Sequence, residues 1–345
     1  MTKAVILLAG LHKTATTSIQ ETCFANREAL RAAGFEYPVV NMKTRRDSNH
    51  SLFLKELFRA DPGRLGLAGQ FALDGEFSPE VQERQRKEFA AALARDTRSV
   101  LFVAESVSVF AEDELRTMSD WFASQGCSLR VMCHVRHIST WLQSMVAQRV
   151  AGQMMMTIAQ AVQEFVDVGG IVRPRIEVIR RVFPGVEFYS HERAVRHGAG
   201  PAAFFLEAIG FPGAASVRTV RANEGASDAA TRTLSLIFER FGRSHASPRE
   251  LREHRQDAGM RALRALPGPK FALTRDEAAP LLPMLHDENE WLRTTLGAEY
   301  HDADPRFAEA RPSWSEATLR KFHEAVPSLR PDVRQWLESQ RHRLE

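Results

Sequence analysis

Within nine residues, Gly10-Leu11-His12-Lys13-Thr14-Ala15-Thr16-Thr17-Ser18, the chain collects a glycine, a lysine and four hydroxyls. That set can bind an anion. Lysine supplies a movable point charge, and Thr14, Thr16, Thr17 and Ser18 supply O–H donors. The preceding run Ala4 to Ala9 is apolar without alternation, which suits a strand covered on both faces of a parallel sheet. Gly10 then turns the chain, and the backbone N–H groups of Thr14 to Thr17 read as the unpaired donors of a helix N-terminus, where the dipole favours negative charge. A capped helix needs only one such hydroxyl and has no use for the lysine, so the stretch reads as a phosphate cradle. It is not a triphosphate loop of the Walker type. Lys13 comes three residues after Gly10, and no second glycine precedes it.

The spacing resembles the 5'-phosphosulfate loop of sulfotransferases that use 3'-phosphoadenosine 5'-phosphosulfate (PAPS), approximately Gly-x-x-Lys-Thr-Gly-Thr-Thr. The chain keeps Gly10, Lys13, Thr14, Thr16 and Thr17 and departs at Ala15, where that family usually has glycine. A methyl group at this position fits right-handed helical angles and fits a positive φ poorly. His12, inside the loop, stands where it can touch substrate.

The resemblance implies a second element, an arginine at the end of a later strand and a serine eight residues on, together gripping the 3'-phosphate. Ser128 to Val135 reads as that strand, Arg136 follows it, and Ser144 stands eight residues later. Between them Ile138, Trp141, Leu142, Met145 and Val146 keep helical spacing. Gln148 matches a frequent family glutamine. His137-Ile138 replaces the family's Asp-Pro, and Trp141 stands where the family has a second arginine. Hydrogen bonds to charged groups contribute about 1.5 to 3 kcal/mol each, so Arg136 and Ser144 would favour a 3'-phosphorylated nucleotide by about 3 to 5 kcal/mol, roughly a hundred- to a thousandfold. Lower-specificity matches follow in chain order: Glu105-Ser106 after the strand Ser99 to Ala104, a strand at Val186 to Ser190, a helix from Ala202 to Ile209, and the loop Arg221-Ala222-Asn223-Glu224.

The implied activity is direct sulfuryl transfer from PAPS to an acceptor hydroxyl, a carbohydrate hydroxyl among the candidates, leaving 3'-phosphoadenosine 5'-phosphate (PAP). Lys13 is placed to neutralise the bridging oxygen, so no metal is required. Two residues are candidates for the base that takes the acceptor proton. His50, in Asn49-His50-Ser51 ahead of a helix from Leu52 to Arg59, resembles an element of bacterial members and titrates near neutrality. Glu105, at the carboxyl end of its strand, lies on the edge where open parallel sheets hold ligands. Two rivals stay open, a non-catalytic nucleotide-binding homologue and a P-loop nucleotide kinase.

Around these residues the expected class is α/β, a central parallel sheet flanked by helices of the P-loop nucleotide-binding type, with a helical C-terminal region. Residues 1–225 form the PAPS-binding core and residues 226–345 pack on it. Three hydroxyl-x-x-Glu signatures, starting at Ser247, Thr274 and Ser313, mark helix starts there, and residues 302–311 read as a looser connection. Met154, Met155 and Met156 read as core packing and Arg45-Arg46 as a solvated pair. A net charge of +3 on 345 residues implies no broad field for nucleic acid or membrane. Three cysteines, Cys23, Cys127 and Cys133, lack metal spacing and an even count, which fits free thiols in a reducing, cytoplasmic setting. No apolar stretch approaches membrane-spanning length.

Overall fold

Along the first strand, β1 (Lys3–Leu8), Val5 and Leu7 face one side and Ile6 and Leu8 the other, and all four are buried. A strand with two apolar faces must be covered on both, so it sits inside a sheet between layers of helix. The structure is a computed structural model that describes residues 3–42, 45–60, 79–95, 98–222, 225–242, 253–254 and 256–344. In it the chain runs from β1 through α1 (Thr16–Ala25), α2 (Arg27–Ala32) and β2 (Phe35–Glu36) to a short antiparallel pair, β3 (Val40–Met42) and β4 (Arg45–Asp47). Next come α3 (His50–Phe58), α4 (Pro79–Arg95), β5 (Ser99–Val103), α5 (Glu112–Ser124), β6 (Cys127–Val135), α6 (Ile138–Ala147), α7 (Ile158–Val168), α8 (Val172–Val182) and β7 (Glu187–Ser190).

The main sheet has five strands in the order β2-β5-β1-β6-β7, all parallel. Leu8 of β1 is level with Val103 of β5 on one side and Met132 of β6 on the other. After β5 the chain crosses over β1 to lay down β6, which makes the carboxyl end of β1 a topological switch point, the place where open α/β sheets take their ligands. One face carries Val5, Leu7, Phe102 and Val131 and packs against Leu54, Phe58, Phe122 and Trp141. The opposite face carries Ile6, Leu8, Leu101 and Met132 and packs against Ile19 and Cys23 of α1 and Phe205 and Leu206 of a later helix.

The C-terminal helices share the first of these cores. Leu234 and Ile237 of the helix Asp228–Phe241, and Leu285 and Leu292 of Leu282–Leu296, belong to the same apolar cluster as β1. The signature at Thr274 is a capping box, with Thr274 accepting from the Glu277 amide. At the last of the three, the cap is Ser315 rather than Ser313, two residues later than expected. The signature at Ser247 and the residues Asn223 and Glu224 lie outside the described residues, as do the side chains of Arg45 and Arg46. Residues 302–311 are not a loose connection at their start. Asp302 is buried, its amide donates to Asn289 Oδ1 at 2.7 Å, and its carboxylate accepts from the buried Ser139 hydroxyl. The three cysteines are free and buried. No described helix is long and apolar enough to cross a membrane.

Candidate active site

Beyond its last strand residue, β1 stays zipped to β6. The Ala9 amide donates to the Met132 carbonyl at 2.8 Å and the Leu11 amide to that of His134 at 3.2 Å. Gly10 is pinched in this passage, since a Cβ there would meet Thr14 Oγ1 at 3.2 Å and the His134 nitrogen at 3.3 Å. The loop is thereby delivered to the end of β6, next to Arg136.

The helix begins at Thr16, two residues later than the sequence pattern indicates, and its first intrahelical bond runs from the Ile19 amide to the Ala15 carbonyl at 3.1 Å. No side chain caps it, and no acidic residue stands in its first turn. Thr16, Thr17 and Ser18 of this uncapped first turn line a cleft. Most of the neighbouring hydroxyls have other tasks. Thr14 is buried and bonds back to the Leu11 carbonyl, and Thr16 is directed to the Glu105 carboxylate. Ser18 accepts from the Ala222 amide at 3.1 Å, tying α1 to the segment Thr219 to Ala222. Thr17 remains partly exposed in the cleft wall.

Lys13 (φ 66°) and Ala15 (φ 64°) both take the left-handed conformation. The turn holds both backbones in a region unfavourable for residues with a Cβ, and such strain gathers at ligand sites. The departure from the family glycine at Ala15 thus has a cost, roughly 1 to 2 kcal/mol for a side chain in this region. Ala15→Gly is expected to stabilise the fold by about 0.5 to 1 kcal/mol in urea unfolding, the relieved strain outweighing the added freedom of the unfolded chain. In a right-handed helical position the same change would cost about 1 kcal/mol, so destabilisation would contradict the left-handed turn.

Arg136 arrives from β6 and locks onto the loop. Its Nη1 donates to the Lys13 carbonyl at 3.0 Å and its Nε to Thr140 Oγ1 at 3.0 Å. Neither bond uses Nη2. One helical turn beyond Thr140, Ser144 lines the same cleft, with Gln148 a further turn on. Trp141, in the place of a family arginine, is fully buried and its indole N–H holds the His12 carbonyl at 2.8 Å. It braces the loop from behind. Of the sequence-derived site residues, Lys13, Ala15, Thr16, Thr17, His12, Arg136, Ser144 and Glu105 converge on one cleft of about 1270 Å³, while Gly10 and Thr14 shape the loop from beneath.

Glu105 opens the one-turn helix Glu105–Val109 that follows β5. Burial raises its carboxyl pKa, against hydrogen bonds from Thr16 and Gln20 and the nearby Lys13 charge. Gln20 donates to Glu105 Oε2 at 3.2 Å and fixes its direction. Lys13 is moved the other way: burial and then the Arg136 charge lower its pKa, partly offset by Glu105. Lys13 and Glu105 thus lie within electrostatic reach of each other, and burial biases each toward its neutral form.

His50 is elsewhere. It lies in the first turn of α3, with Asn49 as the cap, and is fully buried. The Val103 amide donates to Nδ1 at 3.1 Å, so Nε2 carries the proton and donates to the Pro38 carbonyl at 2.8 Å. Its ring packs on Tyr37 and Phe102. Both nitrogens are spent on backbone groups, so the expected base is instead a peg joining α3 to β5. The methionines divide as well: Met155 and Met156 pack on the core, but Met154 lines the cleft and its sulfur lies 3.4 Å from Arg149 Nη1.

Sequence reasoning missed several cations that line the cleft, Lys55 on α3, Arg59 at its C-terminal cap, Arg149 after α6 and Arg175 on α8. It also missed His134 and His191, which, like His12, are kept neutral. Burial holds His134 down to about 4, His12 to about 4 with help from Arg175 and Lys13, and His191 to about 3 with help from Arg136. For a histidine whose folded pKa lies below its unfolded value, stability is complete above about pH 6.5 and falls as the pH drops toward the folded pKa, where the unfolded chain takes up a proton that the fold refuses. The fully buried His134 alone corresponds to about 3 kcal/mol over that window. Urea unfolding should therefore show stability falling from pH 7 to pH 4, and His134→Phe should flatten that slope; an unchanged slope would refute the assignment.

Comparison with protein-family models, with characterised proteins and with solved structures finds no match for this chain.

Proposed function

We propose that the chain is a sulfotransferase that moves a sulfuryl group from PAPS to an acceptor hydroxyl. The observation that carries this reading is the 3.0 Å bond from Arg136 to the Lys13 carbonyl. It joins a loop suited to a 5'-phosphosulfate and an Arg/Ser pair suited to a 3'-phosphate in a single cleft. The open amides of α1 take the 5'-phosphate, Arg136 and Ser144 take the 3'-phosphate, and the Thr219 to Ala222 segment against α1 borders the nucleotide.

In the reaction the acceptor oxygen forms a bond to sulfur as the bond between sulfur and the bridging oxygen breaks, and PAP leaves. Lys13 meets the charge that grows on the bridging oxygen, and its poorly hydrated position strengthens that interaction. Glu105 takes the acceptor proton. Its raised pKa brings it nearer the range in which a carboxylate is an effective base. Gln20 and Thr16 hold it in place.

Calorimetric titration tests the reading. PAP is expected to bind at least about a hundredfold more tightly than Mg-ATP, and Ser144→Ala to weaken PAP by about tenfold while leaving Mg-ATP unchanged. Equal affinity for the two nucleotides would point to a kinase-like site instead.

A further inference from the structure

Arg175 has no counterpart in either phosphate-binding element. It projects from α8, which packs against the one-turn helix that begins with Glu105, and it lines the cleft close enough to His12 to depress that ring's proton affinity. Arg175 belongs to none of the elements proposed to hold the nucleotide, which are α1 with its loop, Arg136 with α6, and Thr219 to Ala222, although all line the same cleft. It borders both the loop, at His12, and the one-turn helix that carries Glu105.

Among the described residues no carboxylate forms an ion pair with Arg175, and Glu288 acts on it only at longer range. Nη1 is sealed from solvent and has no hydrogen-bond partner among the described residues. The neighbouring Arg149 takes both oxygens of Glu164, at 2.8 and 2.7 Å, for itself. Glu288, the other carboxylate in electrostatic reach, accepts from the Arg173 amide at 2.9 Å. Burial and the Arg149 charge lower the Arg175 pKa to about 10. The same cleft is lined by the buried Lys55, and by Arg59, whose charge is answered by Glu114 at 3.3 Å. Holding a guanidinium in such a place costs free energy unless an anion completes the site.

Resting on the sulfotransferase reading, we infer that the acceptor itself bears an oxyanion, a carboxylate or a sulfate ester, which Arg175 binds while Glu105 faces the reacting hydroxyl. Guanidinium suits both groups because its paired N–H donors match two oxygens of either. The acceptor is then acidic rather than neutral, and if it is a carbohydrate, an acidic glycan. Arg175 selects it and positions its hydroxyl, without touching the sulfuryl group.

The test uses the full chain saturated with PAP, so that the nucleotide elements are occupied. Three tetrasaccharides of equal length are titrated by calorimetry: one containing glucuronate, its carboxyl-reduced neutral form, and that neutral form carrying a sulfate ester. At least one acidic form is expected to bind about tenfold or more tightly than the neutral one. Comparing the two acidic forms distinguishes carboxylate from sulfate. Arg175→Gln should abolish the preference and Arg175→Lys should restore part of it, while both variants keep the wild-type affinity for PAP, which also shows that they fold. The inference is overturned if the neutral form binds as well as both acidic forms, if no tetrasaccharide binds, or if Arg175→Gln keeps the preference. Failure of PAP itself to bind would instead overturn the sulfotransferase reading, and it is seen before any sugar is added.

Discussion

Lys13→Ala is expected to lower kcat for conversion of PAPS to PAP by about 10³-fold, while the dissociation constant for PAP rises by only about tenfold. The asymmetry follows from when the charge is needed. On the proposed reading the amides of α1, whose helix has no side-chain cap, hold the 5'-phosphate in the ground state. As the sulfur leaves, charge accumulates on the bridging oxygen, and only then is the full ammonium interaction drawn upon. Alanine at this position keeps the same left-handed backbone as lysine, so the loop should hold its shape. A kcat within tenfold of wild type would remove Lys13 from the chemistry.

Glu105→Gln is expected to reduce kcat by about 10²- to 10⁴-fold with PAP affinity little changed, the usual range for loss of a positioned base. Glutamine keeps the shape and can still accept from Gln20, so the loss would report the missing carboxylate rather than a disturbed fold. The pH profile provides an independent check. Burial raises the pKa of Glu105, so the acid limb of wild-type activity should lie above the ordinary carboxylate range, with activity lost as the pH falls and the base protonates. Residual activity of the glutamine variant should lack that limb. Full activity, or an unchanged acid limb, would mean that the proton leaves by another route.

Much of the site was legible because its signals are local. The parallel sheet follows from apolar strands without alternation, and the loop from a glycine, a lysine and hydroxyls at close spacing. Arg136 and Ser144 are one strand end and two helical turns apart, so a single element sets their relation. What was hidden depends on distant partners. Nothing near His50 indicates that Val103 and Pro38 will occupy both ring nitrogens, and nothing near Thr14 or Ser18 indicates that their hydroxyls are spent on Leu11 and Ala222. Ala15 shows the limit of propensity. The turn imposes a left-handed angle that an alanine does not advertise, and tertiary pairing of β1 with β6 prevails. Arg175 carries no motif at all. It becomes visible only when α8 packs on the one-turn helix of Glu105 and places Arg175 in the cleft with no carboxylate paired to it among the described residues.

The most direct measurement is a crystal structure of the protein with PAP bound. The 5'-phosphate is expected within hydrogen-bond distance of the first amides of α1 and of Lys13, and the 3'-phosphate between Arg136 and Ser144. A nucleotide bound the other way round, or bound with its 3' end in solvent, would contradict the PAPS reading.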